Sequence, residues 1–254
     1  MKEKGTFYGI GVGPGDPELI TVKALKIIKS CPVIAAPRTG NGDMVALDIV
    51  WRTGVLAGTA EIAEESDKKI LAMDFTMDKD PAKRKENYRK NAEAAARYLD
   101  NGQDVAMVTL GDVSLYSTVH YIADELSPRG YNIVMIPGVP SFSAAAASLG
   151  IPLAEMDAPV HIIPSVRNNS DDYLDLPGTK VLMKAGRHLH RTLDELDRRG
   201  LLDVTSLAVN CGMDDETTSG ETRALGNSNR VLKKVPKLQP LRRISRCHET
   251  TLAP

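Results

Sequence analysis

Short apolar runs rich in β-branched residues alternate with segments of helical periodicity through the first part of the chain. Each run has the length of one strand, and the apolar positions between runs recur every three or four residues, as on one face of a helix. The run from Val105 to Val108 is apolar throughout, which suits a strand covered on both faces. The pattern predicts βαβ units that build a parallel sheet with flanking helices. The predicted strands are Thr6 to Val12, Val33 to Ala36, Lys69 to Phe75, Val105 to Leu110 and Ile133 to Ile136.

A second, smaller mixed α/β domain is predicted after the helix Ser143 to Leu149, because Gly150-Ile151-Pro152 interrupts the pattern. The two domains are expected to span residues 1–152 and 153–216. The remaining residues, 217–254, are polar and basic without a strand or helical period, and we expect them to be irregular. The predicted elements of the second domain are strands near Val160 to Ile163, Lys180 to Ala185 and Ser206 to Cys211, and a helix near Leu189 to Arg199.

Charge and cysteine content exclude several classes of protein. The chain of 254 residues has 32 Lys and Arg against 33 Asp and Glu, so it lacks the general basic field of a nucleic-acid binder. Its three cysteines show no C-x-x-C spacing, which argues against a zinc site and a disulfide framework and favours a reducing cytoplasm. No run approaches the roughly 18 apolar residues of a membrane span. We therefore expect a soluble, cytoplasmic protein without a resident metal.

A glycine-dense segment from Gly9 to Leu19 follows the first predicted strand. Its spacing fits neither the dinucleotide fingerprint G-x-G-x-x-G nor the phosphate-binding G-x-x-x-x-G-K-[ST]. Asp16 followed by Pro17 is typical of an N-cap and the first residue of a helix. Glycines at alternate positions let the backbone approach a ligand closely, although a tight structural turn would use them as well.

Three predicted strands end in turn-rich segments, namely the opening glycine segment, Leu110 to Ser117, and Ile136 to Ser143. The carboxyl ends of parallel strands meet at one edge of a sheet, and ligands of such sheets bind beyond that edge. We therefore expect these three loops to converge on a small-molecule site.

The three loops together resemble the tetrapyrrole methylase family. They carry a G-x-G-P-G-D-P opening, a central Gly-Asp followed by Tyr-Ser, and Pro-Gly-Val-Pro-Ser-Phe. The resemblance implies a two-domain α/β fold that binds S-adenosylmethionine in a cleft between the domains. Within the family the chain looks most like the precorrin-2 C20-methyltransferase branch of cobalamin synthesis, on the residues Thr109 to Thr118, Pro137 to Phe142 and Asn210 to Met213.

The resemblance also implies a set of binding residues. The substrate would be a tetrapyrrole with several carboxylates, with or without cobalt, and the assembly would be a homodimer. Because arginine suits carboxylates, Arg38 is the first candidate for binding the substrate, followed by Arg187, and ordinary surface charge is the alternative for both. Tyr116 is a further candidate at the border of the substrate. The positions that match cofactor-binding positions of the family are Pro14, Leu110, Gly111, Asp112, Leu115, Pro140, Ser141 and Lys184.

Several alternatives stay open at this point. Asp112 would contact the cofactor or cap a helix beginning near Leu115, and Tyr116 would border the substrate or simply pack. His188 and His190 are better explained as exposed polar residues than as metal ligands, and no catalytic residue is assigned. The function itself could be methylation at another ring carbon, or cofactor binding without catalysis.

The end of the chain departs from the family pattern. Relatives of this branch close with an aromatic and aliphatic strand pair, whereas this chain has Arg242 to His248 there. Without closing strands the second sheet would have an exposed edge, which invites pairing with another chain.

Overall fold

The computed structural model describes residues 3–56, 68–76, 78–164, 171–186, 189–219 and 249–253. It divides into two compact units, Met1–Pro140 and Ser141–Pro254. The strands are β1 (Thr6–Gly11), β2 (Val33–Arg38), β3 (Lys69–Asp74), β4 (Val105–Thr109), β5 (Asn132–Ile136), β6 (Val160–Pro164), β7 (Thr179–Met183), β8 (Ser206–Val209), β9 (Thr217–Ser219) and β10 (Glu249–Ala253). The helices are α1 (Val22–Ser30), α2 (Val45–Arg52), α3 (Pro81–Leu99), α4 (Val119–Leu126), α5 (Ser141–Leu149) and α6 (Leu189–Arg198).

The first unit contains a parallel sheet in the order β3-β2-β4-β1-β5. Every residue of β4 is buried, as its apolar sequence predicts. Val105 and Met107 belong to the core cluster that includes residues of α3 and α4. Ala106 and Val108 belong to the opposite cluster, which includes residues of α1 and α2. The sheet is therefore covered on both faces, and the predicted α/β class with a parallel sheet is confirmed.

Capping residues set the starts of two helices of this unit. The Thr21 hydroxyl accepts a hydrogen bond from the Ala24 amide at 3.2 Å, and α1 begins at the next residue after Thr21. The Asp80 carboxylate accepts a hydrogen bond from the Ala82 amide at 2.8 Å, and Pro81 opens α3. The alanines of α3 that are buried, together with Leu99, let this otherwise charged helix pack closely on the sheet.

The second unit contains a mixed sheet in the order β6-β7-β10-β8-β9. Only β6 and β7 pair in parallel, and the other neighbours are antiparallel. Helix α5 packs in this unit, where Ala146 and Val181 share a small apolar cluster. The structure thus groups α5 with the second unit, whereas the predicted boundary at residue 152 leaves it in the first.

Strands β9 and β10 lie within the segment 217–254 that the sequence analysis treats as irregular. Strand β10 pairs with β7 and β8 at once, with Thr250 opposite both Met183 and Ala208. The expectation therefore does not hold at 217–219 and 249–253. A five-residue run rich in threonine is too short to show a period, yet threonine suits a strand that other strands flank. Residues 220–248, including Arg242 to His248, lie outside the described residues.

No helix among the described residues is both long and apolar enough to cross a membrane.

Candidate functional site

The three glycine-containing loops leave adjacent parallel strands of the first unit. The opening loop follows β1, the central loop follows β4 and the third loop follows β5, and β1 lies between the other two strands. All three loops therefore start at the same edge of the sheet, as expected from the sequence. Their mutual contacts are made largely by backbone atoms.

The opening and central loops form a small antiparallel bridge. The Gly111 amide donates to the Gly13 carbonyl at 2.7 Å, and the Gly13 amide donates to the Gly111 carbonyl at 3.2 Å. Both residues have a positive φ, 77° at Gly13 and 71° at Gly111. A side chain would strain the backbone at either position, so the bridge depends on glycine.

Gly138 brings the third loop against the other two. A Cβ atom added at Gly138 would lie 2.3 Å from the Gly111 carbonyl oxygen and 2.7 Å from the Gly11 carbonyl carbon. A Cβ atom at Gly11 would lie 2.6 Å from the same Gly111 oxygen and 2.7 Å from the Gly138 amide nitrogen. The backbones at Gly11 and Gly138 can approach the Gly111 carbonyl only because neither residue has a side chain. Sequence reasoning did not single out Gly138, although its Pro-Gly-Val-Pro context marked a turn.

Asp112 connects the central and third loops through its side chain. One carboxylate oxygen accepts hydrogen bonds from the Ser114 amide at 2.8 Å and from the Ser114 hydroxyl, and the other accepts from the Gly138 amide at 2.8 Å. Burial opposes the charged form, but these hydrogen bonds and one from the Val113 amide together lower the pKa of Asp112 below its ordinary value. The carboxylate thus holds the two loops together as an anion.

Helix α4 begins too late in the chain for Asp112 to cap it, since the capping role required a start near Leu115. Its first residue is Val119, whose amide donates to the Ser117 hydroxyl at 3.2 Å. The Ser117 hydroxyl in turn donates to Thr109 Oγ1 at 3.1 Å, which links the helix start to the end of β4. Asp112 therefore does not cap this helix.

The other predicted residues of the first unit lie along these loops. Pro14 is buried in the opening loop, and Arg52 of α2 donates to the neighbouring Gly15 carbonyl at 3.3 Å. Tyr116 has a φ of 51°, is 43% exposed, and has its pKa raised by partial burial. The remaining predicted positions, Leu110, Leu115 and Pro140, are half-buried.

The second unit places Lys184 and Asn210 directly after β7 and β8. Both strands are antiparallel to β10, so their carboxyl ends lie at the same edge of the second sheet. Both residues have a positive φ, 59° at Lys184 and 53° at Asn210. Partial burial lowers the pKa of Lys184. Ser141 is the first residue of α5 and is half-buried.

Asn210 carries an unsatisfied acceptor. Its Nδ2 donates to Asp215 Oδ2 at 2.8 Å, while its buried Oδ1 accepts no hydrogen bond in the described part of the chain. A buried acceptor without a partner is costly, so the atom suits a donor supplied by a ligand. Asn210 was predicted only as part of the motif Asn210 to Met213, without a role of its own. The available signal was an asparagine near the end of the predicted strand Ser206 to Cys211, because asparagine tolerates the left-handed backbone conformation better than most residues.

The predicted substrate residues are only partly described. Arg38 ends β2 and forms an ion pair with Asp74 at the end of β3. Arg187 lies outside the described residues, as does His188. In the described ranges, no three His, Cys, Asp or Glu side chains are grouped as a metal site would need.

Relatives of known name match most of the chain. It is 33% identical over 195 residues to a probable cobalt-precorrin-2 C(20)-methyltransferase of Methanocaldococcus jannaschii, a match that covers 76% of this chain and 77% of that protein. It is 31% identical to the cobalt-precorrin-2 C(20)-methyltransferase of Salmonella typhimurium, over 85% of this chain and 86% of that protein. The cobalamin biosynthesis protein CobIJ of Mycobacterium tuberculosis is 32% identical over 80% of this chain, but the chain spans only 40% of that protein.

Solved structures and a family model match at a broader level. The fold resembles a cobalt precorrin-4 methyltransferase with a TM-score of 0.67 at 20% identity, covering 98% of this chain and 94% of the other. It also resembles a uroporphyrin-III C-methyl transferase of Thermus thermophilus complexed with S-adenyl homocysteine, with a TM-score of 0.63 at 19% identity, covering 98% and 97%. The model of the tetrapyrrole (corrin/porphyrin) methylases matches residues 6–224. The chain therefore belongs to the tetrapyrrole (corrin/porphyrin) methylases.

Proposed function

We propose that this protein transfers a methyl group from S-adenosylmethionine to C20 of precorrin-2 or its cobalt form in cobalamin synthesis. The similarity to relatives named as C(20)-methyltransferases, over about three quarters or more of both chains, carries the proposal. The position of the three loops at the carboxyl edge of a parallel sheet supports it, because ligands of such sheets bind beyond that edge.

The close packing of the loops and the buried Asn210 Oδ1 acceptor support binding of this cofactor. When bound, S-adenosylmethionine supplies an electrophilic methyl group on sulfur. The close backbone packing at Gly11, Gly111 and Gly138 fixes the loops before a ligand arrives, which lowers the entropic cost of binding. We propose that Pro14, Leu110, Leu115 and Pro140 contact the cofactor from these loops, beside Gly111 and Asp112. Ser141 and Lys184 are the proposed contacts from the second unit, with Asn210 Oδ1 as an acceptor for a cofactor donor.

The proposed reaction depends more on alignment of the two substrates than on covalent catalysis by the protein. The carbon to be methylated is electron-rich, so the main tasks are to place it behind the methyl group and to exclude water. Positioning of this kind can lower a barrier by several kcal/mol. Arg38 suits the orienting task because a guanidinium binds a carboxylate through paired hydrogen bonds.

Methylation at another ring carbon is the competing activity. A precorrin-4 C(11)-methyltransferase of Pseudomonas aeruginosa is 35% identical to this chain, but over only 58% of it. The higher coverage of the C(20)-methyltransferases favours C20. A third possibility, cofactor binding without catalysis, predicts affinity for the cofactor and no product.

Parallel turnover assays test the proposal and choose between the substrate forms. Purified protein is incubated with S-adenosylmethionine and either metal-free precorrin-2 or its cobalt form, and the product is analysed by mass spectrometry. We expect one added methyl group on one of the two substrates. Tight cofactor binding with neither substrate methylated would support the silent alternative and overturn the proposal.

Arg38→Ala tests the assignment of Arg38 within this function. We expect a higher KM for the tetrapyrrole with nearly unchanged affinity for S-adenosylhomocysteine, because the proposed partner of Arg38 is a substrate carboxylate. An unchanged KM would show that Arg38 is an ordinary surface charge that does not bind the substrate.

We also propose a homodimer, since the resemblance to the family implies one. Light scattering of the purified protein over a concentration series tests this, and a mass corresponding to a monomer throughout would contradict it.

A further inference from the structure

Arg38 and Asp74 are the last residues of two neighbouring parallel strands. They face each other in register, with Arg38 ending β2 and Asp74 ending β3. Arg38 Nε donates to Asp74 Oδ1 at 2.8 Å, and Arg38 Nη2 donates to Asp74 Oδ2 at 2.6 Å. The pair therefore lies at the same edge of the first sheet from which the three glycine-containing loops emerge.

The two hydrogen bonds use only one edge of the guanidinium group. Asp74 binds the side formed by Nε and Nη2, and Nη1 makes no hydrogen bond to any residue that the structure describes. A guanidinium has five N–H donors in a planar fork, so the edge formed by Nη1 and Nη2 can bind a second carboxylate. With one edge held, the plane and direction of the other edge are fixed.

Asp74 is itself anchored from a third element. Asn91 of α3 donates its Nδ2 to the Asp74 carbonyl at 2.8 Å. Helix α3 thus holds the end of β3, and the end of β3 holds the Arg38 side chain. This arrangement gives a long, flexible side chain a defined position at the sheet edge.

The pair contributes little to folding, which makes an orienting role the better explanation of its geometry. The side chains of Arg38 and Asp74 are 42% and 62% exposed. Exposed ion pairs contribute little to the free energy of unfolding because water screens them. The α3 pair of Arg89 with Glu86 has the same two-bond geometry and similar exposure, but it lies within one helix rather than at a strand end.

We propose that Asp74 is a positioning residue for substrate binding: it holds one edge of Arg38 so that the other edge presents paired donors to a carboxylate of the tetrapyrrole. This inference rests on the proposed function and deepens it, since it names the residue that orients the carboxylate-binding arginine.

Asp74→Asn tests the inference, with Glu86→Gln as the matched control. Asparagine cannot accept hydrogen bonds through two oxygens, so Arg38 loses its fixed orientation. We expect Asp74→Asn to raise the KM and the equilibrium Kd for precorrin-2 by about fivefold, the upper value for an exposed pair. We expect kcat and the affinity for S-adenosylhomocysteine to stay unchanged. Glu86→Gln should change none of these quantities.

A double variant separates positioning from direct contact. If Asp74 acts through Arg38, the Arg38→Ala and Asp74→Asn double variant binds precorrin-2 no more weakly than Arg38→Ala alone. Additive losses, an unchanged Kd for Asp74→Asn, or tighter binding by that variant would each overturn the inference.

Measuring Kd by anaerobic titration without the methyl donor keeps this test separate from turnover. Wild-type protein that binds precorrin-2 or its cobalt form but methylates neither would refute the proposed function, while the role of Asp74 would still be decided by the Kd values. Wild-type protein that binds neither precorrin-2 nor its cobalt form would refute both.

Discussion

Three glycines at the ends of adjacent strands determine how the candidate site is built. Gly11, Gly111 and Gly138 pack backbone against backbone, and the Asp112 carboxylate connects two of the three loops. Such contacts depend on the absence of a side chain, so a single methyl group is enough to disturb them.

Gly138→Ala should destabilise the protein by about 1–3 kcal/mol and weaken S-adenosylhomocysteine binding at least tenfold, because the added Cβ overlaps the Gly111 carbonyl. Gly40→Ala is the matched control, since a Cβ atom there meets nothing within 4 Å. Urea unfolding and calorimetry measure the two effects. Equal stability and affinity in both variants would show that the loops do not depend on this contact.

Asp112→Asn should lower the free energy of unfolding at neutral pH by about 1–3 kcal/mol, because the amide cannot accept all the hydrogen bonds of the carboxylate. The folded-state pKa of Asp112 lies below its ordinary value of 3.8, because the hydrogen bonds to the carboxylate outweigh burial, so the ionised form stabilises the fold above that pH. This stabilisation is lost as the pH falls below 3.8 through the folded-state pKa. The difference in the free energy of unfolding between wild type and Asp112→Asn should therefore become smaller in acid, as urea unfolding at a series of pH values would measure. A difference that becomes larger would contradict the role of the ionised Asp112 carboxylate.

At the scale of elements, local patterns predicted most of the structure. Strands β1 to β8 were each predicted, because a continuous apolar run or flanking turn residues marked them in the sequence. The exceptions depend on distant pairing: nothing within Glu249–Ala253 reveals that β7 and β8 will flank it. Similarly, the loops could be placed at one edge of the sheet from sequence, but the contact of Gly138 with Gly111 could not, because it joins residues far apart in the chain.

Thr251→Pro tests whether β10 is a true central strand. Proline removes an amide donor and leaves a partner carbonyl unpaired, which costs about 2 kcal/mol and should lower Tm by about 4–8 °C. Thr251→Val keeps the amide and a β-branched side chain, and its Tm should stay close to that of the wild type. Equal Tm values for the two variants would mean that β10 does not pair with both neighbours in solution.

At the scale of the whole molecule, a parallel α/β unit and a mixed α/β unit each place candidate ligand-binding residues at the carboxyl ends of their strands. The first contributes the glycine-containing loops and Arg38, and the second contributes Lys184 and Asn210 after β7 and β8. The spacing of the opening glycines excludes the dinucleotide fingerprint.

The protein should therefore bind S-adenosylhomocysteine and show no measurable affinity for NAD. Calorimetry with both compounds checks this directly. Tight NAD binding without a response to the sulfur compound would contradict the cofactor assignment.

Location of the transferred methyl group tests the central claim most directly. The protein is incubated with S-adenosylmethionine carrying a ¹³C-labelled methyl group and with the precorrin-2 form that it accepts, and the product is examined by NMR. The account predicts a single labelled methyl group bonded to C20. A label on any other ring carbon, or no label in the tetrapyrrole while the cofactor is bound, would contradict it.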